Sequence, residues 1–176
     1  LSKPKEPLPA RLVVSLIYKE ASLAREGWKV LDQQWGPIDF LSEIRPFDYT
    51  PYYRKEMGHP LFRRWAAFRP LIPQDKLVEI KTQGFAFESR WQQDRKRGLN
   101  LDPGLITAER FVLATGKNYS HRIYLGKGVF ADLTLVFFKG TFRPLPWSYP
   151  DYQDPRTIGM LNKIREKYLR DLPDEG

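Results

Sequence analysis

Apolar residues along this chain change period several times, and each change marks a predicted element. Residues 11–18 (RLVVSLIY) form a continuous apolar run rich in β-branched side chains, the pattern of a buried central strand. Over residues 22–35, Leu23, Gly27, Val30, Leu31 and Trp35 share one helical face, and Gly36-Pro37 stops the helix. Residues 38–47 alternate in part through Ile38, Phe40, Ser42 and Ile44, which predicts a second strand. Residues 48–60 read as loop, with one helical turn around residues 53–57. Residues 62–72 (FRRWAAFRPLI) predict a third strand, with Pro70 at its end or at an edge. The clearest helix spans residues 73–95, where Leu77, Ile80, Gly84, Phe87 and Trp91 keep a stripe at spacings of three and four. Residues 98–101 give a short fourth strand.

That order, strand–helix–strand–strand–helix–strand, predicts an α+β fold with a ferredoxin-like (βαββαβ) antiparallel sheet core. Beyond Asp102-Pro103-Gly104 the pattern continues. Residues 108–115 predict a short helix capped by Thr107 and ended by Gly116, with a strand as the alternative, since Phe111-Val112-Leu113 has no period. Strands at 119–125, 129–138 and 141–145 predict a C-terminal β-meander, and Asp154 with Pro155 opens a final helix. The expectation is one domain over 1–176. It comprises a flexible basic arm (1–10), a ferredoxin-like core (11–101) and a meander-plus-helix extension (102–172), with a frayed tail from Pro173.

Composition changes this picture in three ways. A chain of 176 residues with 41% hydrophobic and 28% charged residues is globular rather than disordered. The absence of cysteine excludes disulfides, thiolate catalysis and zinc fingers, and fits a reducing cytoplasm. No stretch approaches the roughly 20 apolar residues of a membrane span, and the first nine residues lack the apolar core of a signal peptide. The net charge of +8, with clusters at Arg63-Arg64 and Arg95-Lys96-Arg97, favours phosphorylated or polyanionic partners, RNA among them.

Polar groups suited to chemistry concentrate in residues 100–132 (NLDPGLITAERFVLATGKNYSHRIYLGKGVFAD). Neither Gly116-Lys117 nor Gly126-Lys127 has the first glycine or the following hydroxyl of a P-loop, and no G-x-G-x-x-G links a strand to a helix. Gly126-Lys127-Gly128 reads as a hairpin turn with an exposed lysine. Two histidines and no cysteine leave no zinc ligand set, so no metal site is assigned; magnesium on Asp48, Asp102 or Asp132 is the one metal worth testing. His121 is either a hydrogen-bonded core histidine or an acid/base group. Asp132 interrupts an apolar strand and needs a partner, and a turn centred near Lys127 sets Arg122 opposite it. Residues 48–53 (DYTPYY) and 147–152 (WSYPDY) supply rigid loops with rings on which a base could stack.

Four stretches together, FDYTPYYRKEMG, NLDPGLIT, LATGKNYSHRIYLGKGVFAD and PLPWSYPDY, resemble an uncharacterised bacterial family of compact single-domain proteins known only as a domain of unknown function. The resemblance covers nearly the whole chain, with Phe130 and Asp132 standing where the family pattern has Tyr and Glu. It implies no established activity. Some relatives carry a GTP-binding label, and this chain has no P-loop.

The sequence therefore predicts a binding module for a nucleotide, RNA or another phosphorylated ligand. Arg122, Lys127 and Lys117 would meet the anion, and Asp48, Tyr49, Tyr53, Tyr124, Trp147 and Tyr149 would complete the site. The alternative is an enzyme on a phosphorylated small molecule, with His121 as acid/base and Asp102 or Asp132 orienting it. A third reading is a structural or protein-interaction domain. Cofactor and oligomeric state are left open by the sequence.

Overall fold

Strand β1 (Ala10–Tyr18) is buried along its whole length, because it lies inside an antiparallel sheet covered by helices on both faces. Leu12, Val14, Leu16 and Tyr18 point to one side and Val13 and Ile17 to the other, the alternation that a strand imposes. The computed structural model describes residues 3–94 and 96–173. Leu1 and Ser2 of the basic arm, Arg95 of the basic cluster and residues 174–176 of the tail lie outside the described residues.

After β1 come α1 (Ala21–Trp35), β2 (Ile38–Leu41), β3 (Arg45–Pro46), α2 (Arg54–Met57), β4 (Phe62–Ile72) and α3 (Leu77–Arg90). A small hairpin, β5 (Gln92–Gln93) and β6 (Lys96–Arg97), leads into β7 (Leu99–Ile106) and β8 (Arg110–Thr115). The chain closes with β9 (Arg122–Gly126), β10 (Val129–Phe138), β11 (Thr141–Pro144), α4 (Pro150–Gln153) and α5 (Pro155–Asp171). The nine-stranded sheet runs β11-β10-β8-β7-β1-β4-β2, with β3 also on β4 and β9 also on β10. Helices α1 and α3 pack Trp28, Leu31, Ile80 and Phe87 on one face. Helix α5 packs Leu161, Ile164 and Tyr168 on the other, against Val13, Phe111, Leu135 and Phe142. This is an α+β architecture with one large antiparallel sheet. Among the described residues no helix is long and apolar enough to cross a membrane.

Several expectations are corrected. Residues 108–115 are a strand, not a helix: β8 has partners on both edges, and the ladder to β7 and β10 outweighs a local preference that had no period. The last strands are not a simple meander, because β9 and β11 pair with successive halves of the same edge of β10, whose other edge takes β8. The segment after residue 102 is therefore continuous with the first sheet rather than an extension beside it. The fourth strand runs on to Ile106, through Pro103 and Gly104. The second strand breaks after Leu41, where Ser42 turns its hydroxyl to the Trp65 amide. Helix α3 ends at Arg90, short of residue 95. Other expectations are met. Asp154 accepts the Arg156 amide as N-cap of α5, and Lys127-Gly128, both at positive φ, turn the β9–β10 hairpin.

Two buried glycines differ in what surrounds them. A Cβ on Gly104 would sit 2.8 Å from the Phe111 ring and from the Val112 carbonyl, neither of which has room to retreat. A Cβ on Gly84 would meet only the tip of the Leu101 side chain, at 2.9 Å. Gly104→Ala is expected to destabilise the fold by about 1–3 kcal/mol through overpacking. Gly84→Ala is expected to change stability by less than about 1 kcal/mol, since improved helix propensity offsets the crowding. Urea denaturation of the two variants checks the ranking, and equal losses would contradict it.

Candidate functional site

The site begins where the sheet splits. Strands β7 and β8 pair only at Gly104–Leu113, Leu105–Val112 and Ile106–Phe111. Toward Leu99, β7 stays on β1 while β8 diverges, and a slot opens between them. Local chemistry permits this. Pro103 has no N–H to offer a neighbouring strand where the ladder ends. Leu101, two residues earlier and facing the same edge, is served instead by α3. Glu88 accepts its N–H at 2.6 Å and the Lys81 ammonium donates to its carbonyl at 3.0 Å. The open edge is thus satisfied without a partner strand.

Over this slot lies a cavity of about 720 Å³, within the roughly 300–1,000 Å³ typical of small-molecule sites. The loop before α2 contributes Phe47, Tyr49, Tyr52 and Tyr53, Tyr149 comes from the loop into α4, and Asp151 and Tyr152 come from α4 itself. Arg63 anchors its floor. Its guanidinium donates to Ser15 Oγ at 3.0–3.1 Å, to Tyr152 at 3.3 Å and, very closely, to the buried Asp151 carboxylate. The rings of Trp65, Phe47 and Tyr152 surround it at 4.7–5.2 Å from their centroids.

The remaining charges differ in how well they are matched. Arg97 holds Glu56 through paired hydrogen bonds of 2.8 Å and donates to Asn100 at 2.7 Å. Asn100 in turn donates to Asp102 Oδ2 at 3.0 Å. Oδ1 of Asp102 accepts no hydrogen bond among the described residues, with Lys81 standing off at 3.9 Å; Arg63 lies 3.9 Å from Oδ2, and the side chain is 26% exposed. Burial, reinforced by Asp102, holds the Tyr53 hydroxyl far above the usual phenol range, so it remains a neutral donor. Across the cavity Lys117 leans on Tyr52 and has no carboxylate within ion-pair distance among the described residues.

Asp132 and Arg122 face each other across the β9–β10 ladder, as expected of a turn centred near Lys127; a one-residue bulge at Leu125, after the Gly126–Val129 pair, sets this register. Asp132 Oδ2 accepts from Arg122 Nε at 2.9 Å and pairs with His121 Nε2 at 3.0 Å, and Oδ1 accepts from Thr134 at 3.2 Å. The Arg122 Nη atoms donate to neutral groups, the Lys117 carbonyl and the Tyr149 hydroxyl, both at 2.9 Å. His121 stacks on Trp147 with ring centroids 5.0 Å apart, in an outer groove rather than in the cavity.

Of the residues singled out in the sequence, Asp102, Asp132, Arg122, Lys117, Tyr49, Tyr53 and Tyr149 line the cavity. His121 and Trp147 line the outer groove, which shares Lys117, Arg122 and Tyr149 with it. Asp48, Tyr124 and Lys127 are not brought to either. Asp48 is exposed, Tyr124 packs on Phe130, and Lys127 sits at the open hairpin turn. Asp102 and Asp132 lie on strands separated by β8. Among the described residues no three His, Asp or Glu side chains converge to hold a metal. In the sequence Arg63 and Arg97 stand out only as members of charge clusters and Asp151 only as part of an aromatic loop, while Lys81 and Glu88 are not singled out. The signal for Lys81 and Glu88 was present: they are seven apart on α3, beside the buried stripe, and both are buried.

A family model described as Domain of unknown function (DUF4416) matches residues 8–168. No curated protein and no solved structure matches the chain.

Two outcomes follow from the buried charges. Arg63→Met leaves Asp151 buried without its cation and is expected to cost about 3–5 kcal/mol. Adding Asp151→Leu should recover most of that loss in chemical denaturation, and a single variant as stable as the parent would refute the anchoring role. Burial raises Glu88 above its ordinary 4.5, a rise that the Leu101 N–H, Lys81 and Arg97 only partly oppose. Folded Glu88 therefore holds a proton more tightly than unfolded Glu88, and its stabilising contribution at low pH is lost as pH rises through the raised value. The stability of Glu88→Gln relative to the parent should rise as pH increases above the ordinary carboxylate range of about 4.5. A flat or falling difference would contradict the burial argument.

Proposed function

We propose that this chain, which belongs to the DUF4416 family, is a binding domain for a small phosphorylated ligand of about mononucleotide size. The observation that carries the reading is the pairing of an unmatched cation with an under-coordinated carboxylate inside one tyrosine-walled cavity. Among the described residues Lys117 lacks a carboxylate partner, and Oδ1 of Asp102 accepts no hydrogen bond, with Lys81 3.9 Å away. A ligand with an anionic group at one end and hydroxyl or amino donors at the other satisfies both. Tyr52, Tyr53 and Tyr149 offer faces to a planar ring between those ends. Of the other lining cations, Arg63, Arg97 and Arg122 are already held by Asp151, Glu56 and Asp132, and Lys81 is tied to the Leu101 carbonyl with Asp102 at 3.9 Å. This favours a small anion over a polyanion and favours a free nucleotide over RNA.

The strand order β7-β1-β4-β2, with α1 and α3 on one face, supports reading residues 10–106 as a ferredoxin-like unit. On that reading β8 to β11 widen the unit on its β7 edge, and the ligand site lies at the junction.

A second reading, an enzyme using His121, is favoured by the His121–Asp132 hydrogen bond. With Nε2 protonated toward Asp132, Nδ1 has no partner among the described residues and is available to accept a proton. His121→Gln would leave binding intact and abolish turnover if that reading holds.

Calorimetric titration with the four 5′-mononucleotides, inorganic phosphate and a single-stranded RNA tests the main reading. At least one mononucleotide is expected to bind, with Lys117→Ala and Asp102→Asn each weakening it by about tenfold or more. Tight RNA binding with no mononucleotide binding would replace this reading with the polymer one. Affinity unchanged in both variants would remove the cavity from consideration.

A further inference from the structure

Cavity and outer groove meet at a shared wall. Lys117, Arg122 and Tyr149 line both, and two of the three are cations. The groove has aromatic surface of its own. Trp147 is 40% exposed, its ring is fixed by donating from Nε1 to the Leu133 carbonyl at 2.8 Å, and His121 stacks beneath it at an interplanar angle of 15°. Tyr119, 65% exposed, meets His121 edge-on at 5.5 Å. Ring surface thus lies on both sides of a cationic partition.

The partition also has a donor that a ligand could claim. Arg122 spends Nε on Asp132, which fixes its position, while Nη2 donates to the hydroxyl of Tyr149. Tyr149 is 51% exposed, so a phosphate oxygen could displace its hydroxyl without unburying the ring. Charge-assisted contact with phosphate is stronger than a neutral hydroxyl partner, which gives the exchange its direction.

We infer that the two compartments form one site for a ligand with two ring systems joined by an anionic link, of the class of a pyrophosphate-linked dinucleotide. This rests on the small-ligand reading above and extends it. One nucleoside occupies the cavity, with its donors toward Asp102. The phosphates cross the wall at Lys117 and Arg122. The second ring lies in the groove against Trp147. A mononucleotide fills only the inner compartment, and the aromatic surface of the groove supplies the added affinity.

The test compares the four 5′-mononucleotides with the four matching symmetrical 5′–5′ pyrophosphate-linked dinucleotides by calorimetry on the full chain. The tightest dinucleotide is expected to bind about tenfold or more tightly than its mononucleotide. Trp147→Ala should reduce that ratio to near unity. Because Trp147 also donates to Leu133, Tyr119→Ala, at an exposed position, provides a second variant, expected to lower the ratio by about threefold or more. A dinucleotide no tighter than its mononucleotide, or a ratio indifferent to both variants, overturns the two-compartment site and leaves the mononucleotide reading standing. Binding of neither class overturns both.

Discussion

The buried guanidinium of Arg63 is the constraint on which the rest of the site depends. A charge at 3% exposure must be answered where it sits, and it is answered from every direction. Ser15 approaches from β1, Asp151 and Tyr152 from α4, and Trp65 and Phe47 bring ring faces. These contacts reach from one end of the chain to the other. The C-terminal loop is drawn onto the sheet by this ion pair, and without it the cavity would lose one of its walls. The same saturation explains why Arg63, although central, is not offered as a ligand contact. Its donors are already committed.

Next to that anchor, three consecutive residues divide the work of opening the sheet. Asp102 turns a carboxylate into the cavity, Pro103 ends the ladder to β8, and Gly104 lets Phe111 press against the backbone two strands from Arg63. A strand interior ordinarily excludes both proline and glycine. Here each has a structural use, and α3 supplies the missing partners through Lys81 and Glu88. The positive charge of the whole chain has little to do with this place, because its three lining arginines are each matched by a carboxylate.

What the sequence made legible was local. The apolar run of β1, the stripe of α3 and the Asp154 cap of α5 are each set by neighbours a few residues away, and each emerged from periodicity. Arg122 opposite Asp132 was legible because a turn centred near Lys127 implies it. The two-residue Lys127-Gly128 turn alone would set Ile123 there, and a one-residue bulge at Leu125 restores Arg122. Residues 108–115 were not, because Phe111-Val112-Leu113 suits either element and the decision was made by β7 and β10, far along the chain. The cavity was only half legible. Its Tyr-rich loops and Asp102 stood out as composition, whereas Arg63 with Asp151, or Arg97 with Glu56, are pairings across 41 residues or more that no spacing rule anticipates. Lys127 and Tyr124 show the converse error. They are near the site in sequence, but a hairpin carries them away from it.

The slot between β7 and β8 also has a mechanical meaning. Lys81, Phe85 and Glu88 reach it from the layer of α1 and α3, while Tyr149 and Tyr152 reach it from the layer of α4 and α5. Elsewhere those layers are separated by the full thickness of the sheet. A molecule seated in the slot would touch both directly, acting as a rivet through the sheet. Occupancy would then be felt as stiffness in helices on opposite faces of the sheet.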